Sequence, residues 1–177
     1  ISRFQGNQRD GHGNHQTAGL LTQNAFAAAA DPKMFPEQIQ AGLRPWQARK
    51  LFMGGMREDE DWTVRVDTGQ YSPWLGDSFD NFARTGLSFQ RSQNGGRLTL
   101  SSGPNYGYYK RIGAGSTPGT KEDGFFAGID TSIPGLFRAL GRPEPDGAPT
   151  VLQPIDAAVQ EALSVFNGRD PSAIVPV

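Results

Sequence analysis

His12 and His15 are the only two histidines in the chain, and they stand three positions apart. The stretch that carries them reads Asn7-Gln8-Arg9-Asp10-Gly11-His12-Gly13-Asn14-His15-Gln16, so a carboxylate, two imidazoles and two glycines are gathered together. Imidazole is the commonest neutral metal ligand and the usual acid–base group near neutral pH. An i,i+3 spacing puts two side chains on one face of a helical turn. The same residue types also build ordinary polar turns, in which Asp, Asn and Gly serve only their own backbone. Two histidines are too few for a catalytic zinc, which takes three protein ligands and keeps one position for water. Asp10, His12 and His15 make three donors on paper, and a metal-dependent amidase or phosphoesterase in which Asp10 ligates directly is one reading of them. Side chains so close in sequence rarely converge on one ion, however, so the missing ligand is expected elsewhere.

Composition narrows the partners. Seventeen basic and 18 acidic residues leave a net charge of −1, so no field of either sign draws the chain to nucleic acid or to an acidic membrane surface. Cysteine is absent, which excludes disulfides, a thiolate nucleophile and Cys-ligated zinc. With 23 glycines and 13 prolines, a loop-rich fold is expected rather than a helical bundle. No apolar run approaches the roughly 18 residues that cross a membrane, and no signal peptide is visible. The sequence opens at Ile1, just before its most chemical stretch, and reads as a segment of a longer polypeptide.

The elements that must position the histidines follow from pattern. Residues 15–30 are strong helix material, with Asn14 as the expected N-cap and Ala18, Leu21, Ala25 and Ala28 as the expected buried face. Asp31-Pro32 ends that helix. Lys50–Met53 and Trp62–Asp67 read as strands, the second by its alternation of apolar and polar residues. A helix is expected from Asp77 or Ser78 to about Arg91, with Phe79, Phe82 and Ala83 in its apolar stripe. Leu98–Leu100 reads as a short strand. Residues 101–123 read as a long irregular stretch, whose Tyr106, Tyr108 and Tyr109 serve as loop anchors or stack on sugar rings. Phe125–Ile129 re-enters the core, Ile133–Leu140 is a short helix, residues 141–148 are a linker, and Pro154–Phe166 is a closing helix. No phosphate-cradling glycine loop and no nucleophile elbow is present.

Gly11-His12-Gly13-Asn14-His15, opening directly into an Ala/Leu-rich helix, resembles the Gly-His-x-Asp-His motif of the PIG-L/LmbE-like de-N-acetylases. The likeness continues in order through Phe35-Pro36-Glu37, Trp46, Lys50-Leu51-Phe52, Val66-Asp67 and Arg91-Ser92-Gln93, about the first hundred residues. The fuller Asn-Gln-Arg-Asp-Gly-His form, as in residues 7–12, and an extension like Phe125-Phe126-Ala127-Gly128-Ile129-Asp130-Thr131 resemble the longer members. The resemblance implies an α/β fold, here part of a Rossmann-like three-layer domain with its N-terminal half missing and a loop-rich C-terminal extension. It implies residues 1–100 as the C-terminal portion of the deacetylase domain, 101–148 as an extension packed on it, and 149–177 as the helical start of a following region.

In function, the resemblance implies a zinc-dependent hydrolase that removes acetyl groups from N-acetylated amino sugars, glycoconjugates or related amides. His15 takes the place of the zinc-binding histidine. His12 takes that of the histidine which stabilises the oxyanion or protonates the leaving amine. Asn14 stands where many members have Asp, in the place of the group that orients His12, and Asp10 is carried as a further catalytic candidate. The family's first motif, His-Pro-Asp-Asp-Glu, which supplies the other zinc ligands and the general base, does not occur in these 177 residues. The remaining Zn2+ ligands are therefore expected outside this segment, in a missing N-terminal part of the same protein, and the segment alone is expected neither to hold zinc tightly nor to catalyse. Long members are often exported, which leans the compartment toward periplasmic or secreted. The alternative from another class is a non-catalytic carbohydrate-binding or structural segment, favoured by the tyrosines of 104–109.

Overall fold

The computed structural model describes residues 1–94, 96–113 and 115–175, and these form two compact units. The first holds Ile1–Gln70 and Ser78–Phe125; the second holds Tyr71–Asp77 and the residues from Phe126 onward. The division at Phe125 differs from the boundary at residue 100 that the sequence suggested. The reason is that residues beyond 100 complete the sheet of the first unit. The class is α/β: helices together with antiparallel strands.

The first unit is built on β1 (Leu51–Met56), β2 (Val64–Asp67) and a strand from the stretch expected to be irregular, Tyr106–Ile112. With two-residue strands β3 (Tyr71–Ser72) and β4 (Asp77–Ser78) lying between in sequence, Tyr106–Ile112 is β5. It is the central strand, antiparallel to β1 on one side and to β2 on the other. Aromatic residues favour a pleated, half-buried surface, and Tyr106-Gly107-Tyr108-Tyr109 uses that preference. Phe52, opposite Arg111, is 2 % exposed, and Val64, opposite Tyr109, is 1 % exposed. Phe125 closes the core edge-on against Phe52 at 5.1 Å and Tyr109 at 4.9 Å between ring centroids. Edge-to-face rings at this distance add about 0.5–1.5 kcal/mol beyond their buried area.

Outside β1 lies a parallel bridge between Ser2 and Met53. The Ser2 N–H donates to the Phe52 carbonyl at 2.8 Å and the Gly54 N–H donates to the Ser2 carbonyl at 2.8 Å. Between this single bridged residue, Ser2, and β1 runs α1 (Gly13–Ala28), so the chain crosses over through a helix to lie parallel to itself at that one position. Parallel neighbours need a crossover of this kind.

Helix α1 begins earlier than expected. His12 is its N-cap, its carbonyl accepting from the His15 and Gln16 N–H groups, so Asn14 lies inside the first turn and caps nothing. The inward face is also rotated. Gly19 is buried and Phe26 half-buried, whereas Ala18, Leu21 and Ala25 are exposed. Contact distance decides this. A Cβ on Gly19 would lie 2.2 Å from the Gly6 nitrogen, and one on Gly113 would lie 3.0 Å from the Phe26 ring. The helix is thus seated by a glycine against the 5–6 backbone and by one phenylalanine, not by its alanines. Beyond it come α2 (Pro36–Gln40), α3 (Phe79–Ser88) and α4 (Arg91–Asn94). Ser78 caps α3 through the Asn81 N–H, as expected. Leu98 and Leu100 are exposed and belong to no strand.

The second unit contains α5 (Leu136–Ala139), α6 (Ala148–Val165) and a final 3-10 turn at Pro171–Ile174. Helix α6 starts in the expected linker, because Pro149 takes the first-turn place that suits proline and Pro154 is carried inside the helix. Here the ring of Trp74 packs on Gly168, and Arg169 donates to the Pro73 carbonyl at 3.0 Å.

Candidate functional site

The chemistry-bearing residues meet in a turn that its own side chains hold shut. Asn7 caps a single 3-10 turn, Gln8–Asp10, by accepting from the Arg9 N–H at 2.9 Å. Asp10 reaches back in the reciprocal half of a capping box, a pairing that satisfies two otherwise orphaned donors. Its carboxylate accepts the N–H groups of Gln5 (3.0 and 3.1 Å), Gly6 (2.6 Å) and Asn7 (3.0 Å). Desolvation works to raise this carboxyl's pKa. The amides of Gln5, Asn7 and Gly6, with the nearby His15, outweigh it and hold the group below the usual carboxylate range. Asp10 is therefore the organiser of the turn, with both oxygens committed to main chain.

The turn delivers His15. Its Nδ1 lies 3.0 Å from the main-chain carbonyl of Asp10. A proton on Nδ1 satisfies that carbonyl and leaves the Nε2 lone pair for another partner. Ligating histidines are commonly fixed in this way, by a carbonyl or carboxylate on the other ring nitrogen. The His15 ring is stacked on Phe4 (centroids 3.9 Å apart, planes 14° apart) and faces His12 on its other side (3.8 Å, 32°). Phe4, His15 and His12 thus form one short column, which fixes the His15 plane. Both expected histidines are brought together. Asn14 is exposed, and among the described residues its side chain makes no hydrogen bond, so it does not orient His12 in this arrangement.

Beside His15 opens a cleft of about 500 Å³ lined by Arg3, Phe4, Gln5, Arg9, Asp10, Gly54, Gly55 and Arg57. Its far wall is a bulge in β1, where Met53 pairs with Lys110 but Met56, one residue further than a regular register allows, pairs with Tyr108. Gly55 takes φ +72 there, a left-handed value that glycine adopts without penalty. Bulges of this kind re-aim neighbouring groups beside sites. The Gln5 side-chain amide donates to the Gly54 and Gly55 carbonyls at 3.3 and 3.2 Å and so ties the histidine turn to the bulge. Arg3, Gln5 and Arg57 were missed by sequence reading. The only hint was a Gly-Gly pair closing an apolar run, which marks a strand interrupted by a close backbone approach.

Among the described residues no three His, Asp or Glu side chains are grouped to hold an ion. His15 is held through Nδ1 alone, and Asp10 has committed its oxygens to main chain. Among the described residues, no helix is long and apolar enough to cross a membrane.

Of the three tyrosines expected to anchor a loop, Tyr109 faces the core against Phe125, whereas Tyr106 and Tyr108 lie on the opposite face of β5. Trp62 and Tyr108 lie 5.4 Å apart and Tyr106 and Tyr108 6.2 Å apart. Their faces are covered by cations: Lys121 Nζ is 3.4 Å from the Trp62 ring centroid, and the Arg65 guanidinium is 4.7 Å from that of Tyr106. No protein-family model matches the chain, and neither a curated protein nor a solved structure does.

Proposed function

We propose that this chain carries the histidine half of a zinc-dependent amide hydrolase site of the PIG-L/LmbE kind, acting on N-acetylated amino sugars or related amides. The observation that carries the reading is the His15 Nδ1 contact with the Asp10 carbonyl at 3.0 Å, which presents Nε2 as a donor in a fixed plane. The helical crossover from Ser2 to Met53 supports a Rossmann-like layer arrangement around it, and a site at the end of a strand, before the helix, is where such sheets bind ligands.

A zinc ion held at His15 would polarise the acetyl carbonyl and lower the pKa of a bound water to about 7. The chain's own residues would then do three things. His15 binds, oriented by the Asp10 carbonyl and clamped by Phe4. His12, face to face with His15, gives a hydrogen bond to the oxyanion that forms on the amide; such a donor is worth roughly 2.7–4 kcal/mol. Asp10 shapes the turn and takes no part in ligation. Two further ligands and the general base are assigned to a His-Pro-Asp-Asp-type segment outside these residues.

The experiment is metal analysis and acetate release on a polypeptide in which such a segment precedes these residues. His15→Ala should remove zinc and activity together; His12→Ala should keep zinc and slow acetate release about 100-fold or more. Full metal content and activity in His15→Ala would overturn the reading. The carbohydrate-binding alternative has less support, because the ring faces that a sugar would stack on are taken by Lys121 and Arg65.

A further inference from the structure

We propose that the cleft beside His15 is an oxyanion pocket, and that the molecule bound there carries a phosphoryl or carboxylate group received by Arg3. This deepens the hydrolase reading, since it gives the substrate of that site an anionic substituent besides its amide.

Three arginines line the cleft, Arg3, Arg9 and Arg57. The carboxylates around them are already spent. Asp10 accepts three main-chain N–H groups. Glu60 takes Arg9 Nη1 on one oxygen at 2.6 Å and the main-chain N–H of Arg57 on the other at 2.8 Å. Arg9 also donates through Nη2 to the Gly55 carbonyl at 3.3 Å, so both of its terminal nitrogens are engaged. Among the described residues the Arg57 guanidinium makes no hydrogen bond or ion pair, but it lies in the field of Glu60. Arg3 has no such neighbour: among the described residues its side chain has no hydrogen bond, ion pair or ring contact. Yet it is not directed at random into solvent: its Nη1 lies 3.3 Å from where a side chain on Gly55 would begin, at the same bulge that holds Arg9. Glycine at 55 is what leaves room for it.

An unpaired guanidinium on a cleft wall, next in sequence to the phenylalanine that clamps His15, is a planar five-donor fork without an acceptor. The groups that match such a fork are carboxylates and phosphates, through two parallel N–H···O bonds. The neighbouring Arg9 and Arg57 add charge of the same sign. The remaining oxygens in the cleft, on Asp10 and on the Gly54 and Gly55 carbonyls, are all occupied by internal donors, so they do not compete for Arg3.

The test is titration of the chain, at fixed pH and ionic strength, with inorganic phosphate and separately with acetate, followed through the arginine side-chain N–H resonances. Saturable binding of phosphate, of acetate or of both is expected, weakened at least about tenfold in Arg3→Ala and less in Arg3→Lys, which keeps the charge but loses the fork. Saturation by phosphate alone assigns the group as phosphoryl, and saturation by acetate alone as carboxylate. No saturable binding of either anion, or equal binding by Arg3→Ala, overturns the proposal. His15→Ala separates the two readings. In a polypeptide that carries the preceding segment it should abolish zinc-dependent acetate release, while saturable anion binding persists and is still weakened by Arg3→Ala; because His15 borders the cleft, the affinity itself is expected to shift.

Discussion

Two clusters of rings and cations sit in the first unit, and they differ in what they leave open. On the outer face of β5, the cations are engaged within the cluster. Lys121 covers Trp62 and also donates to the Trp62 carbonyl at 2.6 Å, Arg65 covers Tyr106, and Lys110 pairs with Asp61 at 3.0 Å. Nearby, Glu122 takes Lys50 Nζ at 2.6 Å and Arg111 Nη1 at 2.9 Å, with its side chain 11 % exposed. In the histidine turn the rings also stack, but the polar demands of Asp10 and of His15 Nδ1 are met by main chain. That leaves an imidazole nitrogen and the Arg3 guanidinium without a protein partner. Aromatic and charged residues are present in both places, so residue type does not separate a brace from a site. Unspent hydrogen-bonding capacity open to a cleft does, and the unpartnered Nε of Arg111, which is buried, is not of that kind.

If these paired groups on the two faces of β5 are braces, their loss should be felt in stability alone. Glu122→Gln weakens charged hydrogen bonds to both Lys50 and Arg111, and should lower unfolding free energy by about 2–3 kcal/mol in urea while anion binding in the cleft stays as it was. The dependence on pH follows. Desolvation raises the Glu122 carboxyl's pKa, but hydrogen bonds from Lys50 and Arg111 bring it below the ordinary 4.5. A carboxylate depressed in the folded state stabilises fully above its unfolded value and loses that contribution as pH falls through the folded one. The stability gap between the native chain and Glu122→Gln should therefore be constant above about pH 5.5 and shrink below 4.5. A gap that does not change on acidification would mean Glu122 is not the paired carboxylate described.

The histidine turn predicts the reverse, a modest stability cost with a functional one attached. Gly19→Ala removes the penalty of a glycine in a helix, about 1 kcal/mol. It also drives a methyl into the Gly6 nitrogen, and overpacking of this kind costs about 1–3 kcal/mol. We expect net destabilisation in urea and loss of amide protection at Gln5, Gly6 and Asn7 in hydrogen exchange. Increased stability with those amides still protected would break the account of how α1 is seated. The smallest effect is expected at Lys121→Ala, about 0.5–1 kcal/mol for an exposed cation over a tryptophan face. If that variant instead gains affinity for a soluble glycan, the Trp62 face is a covered sugar platform, and the contrast between the clusters narrows.

The sequence announced the histidines, the strands at Leu51 and Val64, and the Ser78 cap, because each has a local signature: residue type, alternation or capping. It hid the central strand. Tyr106–Ile112 is surrounded by glycine, serine and proline, and turn chemistry on both flanks outweighed a short aromatic run. It also misplaced the inward face of α1, because a glycine that fits only by lacking a side chain has no periodicity to show. Arg3 and Arg57 could not be found at all, since nothing local says that residues some fifty positions apart share a cleft; the β1 bulge and the Ser2–Met53 bridge decide that.

The strand order carries one more consequence, for synthesis and folding. Strands β1 and β2 follow one another closely in the chain, yet they do not pair; the slot between them is filled by β5, from about forty residues further on. Both ladders therefore form only after that later segment has emerged, and loop closure has to precede any reward from pairing. Until then two strands present unpaired edges, the condition in which nascent chains associate wrongly. A polypeptide ended at residue 100 would keep every residue of the histidine turn and still lack the strand that joins its sheet.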